Sequence, residues 1–138
     1  MSVHSGMLRL STEGNGEIVN ITAGVASVVR TSEVDLGAVT VFVQGSTAAV
    51  TTMEYEPGTV LDLIELLDRL IPGSADYEHN RRNHDTNAHA HARAAIIGPG
   101  VTVPVVGGAL ALGTWQEIAL IDFDDRPRER TVVVQILA

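Results

Sequence analysis

The sequence has no cysteine, which removes disulfides, thiolate zinc sites and thiol nucleophiles from consideration. Aromatic side chains make up only 4% of it, so a core must be assembled from Val, Leu, Ile and Ala, within a hydrophobic content of 45%. Positive charge is also scarce: nine basic against 17 acidic side chains give a formal charge of −8. A protein that grips duplex nucleic acid needs a basic face to displace counterions. Attachment to an anionic membrane surface needs the same, so neither partner is expected. No stretch approaches the length of a membrane span. The opening MSVHSGMLRLSTEGNG has neither the basic start nor the apolar run of a signal peptide. These absences point to a cytoplasmic chain, and 138 residues fit one domain covering 1–138. GxGxxG before a helix, GxxxxGK and GxSxG are all missing, so no nucleotide cofactor is expected.

What is present reads as an α+β chain, largely antiparallel sheet with two or three helices. Residues 7–12 and 17–21 flank Glu13-Gly14-Asn15-Gly16 and predict a β-hairpin. Thr22 opens a predicted helix to about Ser32, with Val25, Val28 and Val29 on one side. Residues 38–43 and 47–53 predict strands joined at Gly45-Ser46. Val60, Ile64, Leu67 and Ile71 recur at helical spacing over 59–71. Thr59 and Asp62 have capping-box spacing at its start, and Pro72-Gly73 stops it. Residues 74–88 are polar and without apolar period; a loop that long in a small domain is more often functional than empty. A short helix is predicted from His89 to Ile97, followed by strands at 101–106, 109–112, 115–123 and 131–137.

Chemistry concentrates in that polar stretch, where His79, His84, His89 and His91 fall within thirteen residues beside Glu78 and Asp85. Neutral imidazoles suit zinc, nickel, copper and iron, and three ligands with an open position make a Lewis-acid centre. Spacing limits the geometry: on a helix, His89 and His91 diverge by roughly 200° and only one faces a pocket. His84 and His91, seven apart, align only if the helix begins early. A solvated loop that merely collects histidines is the alternative, since no HExxH-type metal signature is present. Glu54, at a strand end, and Asp62, near a helix start, are further carboxylate candidates. Arg126, Arg128 and Arg130 precede or open the last strand, and arginine's planar fork suits phosphate. Arg93 is expected to add a donor near a helix N-terminus, itself an anion site.

Taken in order, GSTAAVTTMEYEPG at 45–58, YEH at 77–79, NAHAHARAAIIGPGVTVPV at 87–105, LGTWQEI at 112–118 and RERTVVVQI at 128–136 resemble the YjbQ-like family, also called the secondary thiamine-phosphate synthase family. The resemblance implies a YjbQ-like α+β domain that assembles as a homotrimer. It also implies histidine pockets near subunit contacts and a divalent metal, zinc or magnesium, there. It carries over His79 and His91 as metal ligands, and His84 and His89 are the further candidate ligands from the same stretch. Glu54, Asp62, Arg93, Gln116 and Arg130 carry over as catalytic residues, with Trp115 in the same closing motif. The implied activity is a weak joining of a pyrimidine diphosphate to a thiazole phosphate with loss of pyrophosphate. The substrate is therefore expected to be small and phosphorylated. Two other readings stand beside it: a non-catalytic trimeric metabolite-binding module, and a metal-dependent phosphoester hydrolase. Gly45 stands where many members carry a histidine, so His84 or His89 is expected to complete the ligand set. Ala95 and Gly100 stand where hydroxyl residues are frequent in the family, which weakens a role for such hydroxyls.

Overall fold

Buried and exposed side chains alternate along the long strands, and that period of two builds a layered fold. The computed structural model describes residues 1–138. Its strands are β1 (Val3–Thr12), β2 (Glu17–Asn20), β3 (Leu36–Gln44), β4 (Ala48–Met53), β5 (Gly100–Val106), β6 (Ala109–Leu110), β7 (Glu117–Asp122) and β8 (Arg128–Leu137). Its helices are α1 (Thr22–Ser32), α2 (Pro57–Leu70), α3 (Glu78–Asn83) and α4 (Ala88–Ile97). One sheet runs β1-β8-β3-β5-β6 and the other β2-β7-β4, with every pairing antiparallel. The expected α+β class holds.

The main core lies between the sheets. Val39, Val41, Val43, Val132, Val134 and Ile136 of the larger sheet meet Val50, Ile118 and Leu120 of the smaller, with Val25 and Val29 of α1 alongside. Ala49, Ala119 and Ile121 point the other way, onto Leu67 of α2 and Ala90 and Ala94 of α4. Strand β7 is thus buried on both faces, which is why it reads as an unbroken apolar run. Small alanines on α4 let that helix lie close on the sheet and carry its histidines with it.

Three expectations need correction. Strands β1 and β2 do not pair as a hairpin: β1 pairs with β8 and β2 with β7. Gly14, at φ +78°, carries the chain from one sheet to the other. Asn15 and Gly16 donate to the carbonyls of Asp124 and Asp122, so the 13–16 turn docks on the β7–β8 connection. Strands β3 and β4 part in the same way at Gly45–Thr47. Helix α2 starts earlier than expected, and its cap is Glu56, whose carboxylate accepts from the N–H groups of Gly58 and Thr59. Pro57 sits in its first turn, where a missing N–H costs nothing. Finally, the polar stretch 74–88 contains the short helix α3.

Candidate functional site

A polar network caps one end of the sandwich. Arg130 shares the inward parity of Val132 and Val134, and Asp122 that of Leu120, so the two meet across the gap between sheets. Arg130 donates from Nε to Asp122 Oδ2 at 2.6 Å and from Nη2 to Asp122 Oδ1 at 2.8 Å, and its Nη2 also reaches Thr47 Oγ1 at 2.7 Å. Thr12 Oγ1 donates to Asp122 as well. Burial pushes the Asp122 carboxyl up, but the bonds from Arg130 and Thr12 outweigh it and hold the group below its ordinary range. Asp124 behaves likewise: burial raises it, and Arg128, the Asp125 N–H, Thr47 and Asn87 together bring it well below the carboxylate range.

Asp124 also places the histidines. It accepts from Thr47 Oγ1 at 3.0 Å and from Asn87 Nδ2 at 3.3 Å. Asn87 is the residue that precedes α4, so the start of that helix is tied to the β4 and β7 ends. One turn on, His91 lines a pocket of about 400 Å³ with Gly45, Ser46, Ala48, Ala94, Ala95 and Pro99. His79, on α3, lies against it with ring centroids 4.7 Å apart. Asn80 Oδ1 accepts from the Ala88 N–H and lies 3.1 Å from His79 Nδ1. That oxygen accepts from the Ala88 N–H, so His79 Nδ1 is placed to donate to it.

The other two histidines leave this pair. His84 ends α3 in the left-handed conformation, φ 51°, and is exposed. The helices break between 83 and 88, so the alignment of His84 with His91 does not arise. His89 lies on the opposite side of α4 beside Gly73, as the helical 200° divergence requires. Burial first, and the nearby Arg93 charge second, push its imidazole below the ordinary range. Its Nδ1 is buried without a partner. No three His, Asp or Glu side chains of the chain gather where one ion could be held. The four-histidine set expected as metal ligands is therefore not assembled within one chain. Two imidazoles are one short of even an open catalytic zinc site, and the loop replacement for the missing histidine at Gly45 does not form.

The remaining candidates divide. Arg93 is mid-helix, not at an N-terminus; it is 5% exposed. Its Nε and Nη2 donate to the Ile71 carbonyl, and Nη2 also to Asp68, while its guanidinium lies 6.0 Å from the Phe123 ring centre. Its Nε and Nη2 hold α4 to the end of α2. Gln116 closes the 113–116 turn, accepting from the Gly113 N–H and donating to Thr52 Oγ1. Glu54 accepts from Thr59 Oγ1 and shares a cleft with Trp115, which is 75% exposed. Asp62 is exposed on α2, away from the cap. Of the five expected catalytic residues, Arg130 alone stands beside Gly45, a wall of the His91 pocket. Asp122, Asp124 and Asn87 were not singled out from the sequence. Two aspartates ending an apolar strand, just before Arg128 and Arg130, were the available signal.

The chain is matched over residues 6–138 by the family described as UPF0047 protein YjbQ-like. A UPF0047 protein of Archaeoglobus fulgidus is 40% identical over 130 residues, covering 94% of this chain and 98% of that one. Another from Methanothermobacter thermautotrophicus is 36% identical, covering 99% and 93%. Among solved structures, a YbjQ-like protein of unknown function from Sulfolobus solfataricus superposes with a TM-score of 0.94 at 35% identity, over 99% of this chain and 98% of that one. A YjbQ/UPF0047 protein from Clostridium acetobutylicum gives 0.87 at 34%, over 95% and 98%. With nearly its whole length matched in sequence and in fold, the chain belongs to the UPF0047 YjbQ-like family.

Proposed function

We propose that the protein is a small-molecule enzyme acting on a phosphorylated substrate at the His79–His91 pocket, with weak activity of the thiamine-phosphate synthase kind. One observation carries the reading: two apposed imidazoles, a serine-bearing turn and a buried arginine with a nitrogen to spare come together at one end of the sandwich. Joining a pyrimidine diphosphate to a thiazole phosphate expels pyrophosphate, so negative charge grows on the leaving oxygen. Fixed N–H donors stabilise such charge most when they need no reorganisation, and Arg130 is held by Asp122 and Thr47. A positioned imidazole can move the proton that accompanies departure. The synthase reaction is a side activity in this reading, and the natural substrate is another small phosphorylated metabolite. A zinc or magnesium ion would find two imidazoles here and would need its other ligands from the substrate or a second copy.

A cytoplasmic homotrimer belongs to the same proposal. No helix is long and apolar enough to cross a membrane. The outer face of the larger sheet supports assembly: Met7, Val133 and Phe42 are cross-strand partners in one row, and Met7 and Phe42 are 60% and 43% exposed. Val3 and Leu137, a parallel row, are also exposed. Sedimentation at micromolar concentration gives the state directly, and a clean monomer contradicts the trimer.

The enzymatic reading is tested by incubating wild-type protein and His91→Ala with the pyrimidine diphosphate and thiazole phosphate. Product from the wild type, lost in a variant that melts unchanged, supports it. Thermal stabilisation by phosphorylated ligands without product would instead leave a binding module. Phosphate release from a phosphoester panel would make the protein a hydrolase.

A further inference from the structure

We propose that Arg130 and the Gly45–Thr47 turn form a seat that takes a phosphoryl oxyanion directly, with no resident divalent cation, and that Gly45 is the residue that keeps the seat open. This rests on the phosphorylated-substrate reading above and decides which group meets the substrate's charge.

The Arg130 side chain is 7% exposed, and its Nε and Nη2 are engaged by Asp122 and Thr47. Nη1 has no acceptor in the chain, yet it is not among the sealed polar atoms, so solvent reaches it. It lies against Gly45, where an added Cβ would fall 2.7 Å from it, closer than side chains tolerate. Gly45 also has φ +144°, a conformation that favours glycine. Any larger residue here must displace the guanidinium or be displaced by it.

The surroundings suit an anion. The backbone N–H groups of Gly45 and Ser46 make no hydrogen bond within the chain, and Ser46 and His91 line the adjoining pocket. All nine basic side chains of the protein are arginines, and arginine stays charged at every working pH. Asp122 cancels the formal charge of Arg130, so attraction comes from directed N–H donors rather than from a net positive field. Those donors are pinned before the ligand arrives, so little side-chain entropy is lost on binding. A cation at the same place would face a guanidinium nitrogen with no carboxylate set around it.

The test uses full-length protein stripped with chelator. Inorganic phosphate and pyrophosphate are titrated by calorimetry, then again with added magnesium or zinc. The expected result is binding without metal, little changed by adding it. Gly45→Ala should weaken binding about tenfold or more, the equivalent of about 1.4 kcal/mol. Should that variant fold poorly, nitrogen NMR of the wild-type Arg130 guanidinium reads the same contact, and its Nη signals should move on adding phosphate. Binding that appears only with metal, an unweakened Gly45→Ala, or unmoved Arg130 signals in protein that binds phosphate would overturn the metal-free seat and leave the phosphorylated-substrate reading standing. No binding under either condition would remove both.

Discussion

Replacing Asp122 by asparagine should unfasten the two sheets at the site end. The carboxylate accepts from Arg130 Nε and Nη2 at 2.6 and 2.8 Å, from Thr12 Oγ1, and from the Asp124 N–H at 3.1 Å. An amide keeps the shape but turns one oxygen into a donor facing other donors, and leaves a buried guanidinium without its counter-charge. Breaking a buried pair this way costs about 3–5 kcal/mol. At roughly 4 °C per kcal/mol for a chain of this size, Tm should fall by about 12–20 °C. Circular dichroism melts and urea titration at pH 7 measure it. The acid limb supplies a second reading. Despite the upward push of burial, the Asp122 carboxyl is held below its ordinary value by Arg130 and Thr12. Its contribution is therefore whole above the unfolded carboxylate pKa, about 3.9, and drains away as pH falls through the lower folded value. The variant has no such group and should lose less stability on acidification. A loss under about 1 kcal/mol with an unchanged acid limb would mean that the pair does not clamp the sheets.

Two further outcomes follow from the same geometry. Arg93→Ala should destabilise by about 3 kcal/mol through lost bonds to the Ile71 carbonyl and Asp68, while phosphate affinity stays as in the wild type; weakened binding with an unchanged melt would return Arg93 to the site. Elemental analysis of protein purified without chelator should find metal well below one ion per chain, since only two imidazoles meet. A tight stoichiometric ion that His91→Ala removes would contradict the geometry described.

Much of the secondary structure was legible because periodicity is a local property. The Val60–Leu67 stripe marked α2, and the alternation at 131–137 marked β8. Pairing was not legible. Gly14-Asn15-Gly16 carries turn chemistry, but a turn residue sets only the local backbone and not the sheet that receives the next strand. Here both the 13–16 and 45–47 turns cross between sheets. The α2 cap was missed because Glu56 precedes a proline, outside the Ser/Thr pattern of a capping box. Of the four clustered histidines only His79 and His91 meet. Where α3 stops decides that, and it stops at a left-handed His84, a conformation that sequence scarcely announces. Asp122 and Asp124 were hidden by their setting, since Thr12, Thr47 and Asn87, which hold them beside Arg128 and Arg130, lie far away in sequence.

The most direct measurement is the imidazole NMR spectrum of the full chain during a titration with inorganic pyrophosphate. The ring signals of His79 and His91 should shift together with one common Kd, while those of the exposed His84 stay where they are. Unmoved His79 and His91 signals at saturating pyrophosphate, or shifts of equal size at His84, would contradict a working site at the paired imidazoles.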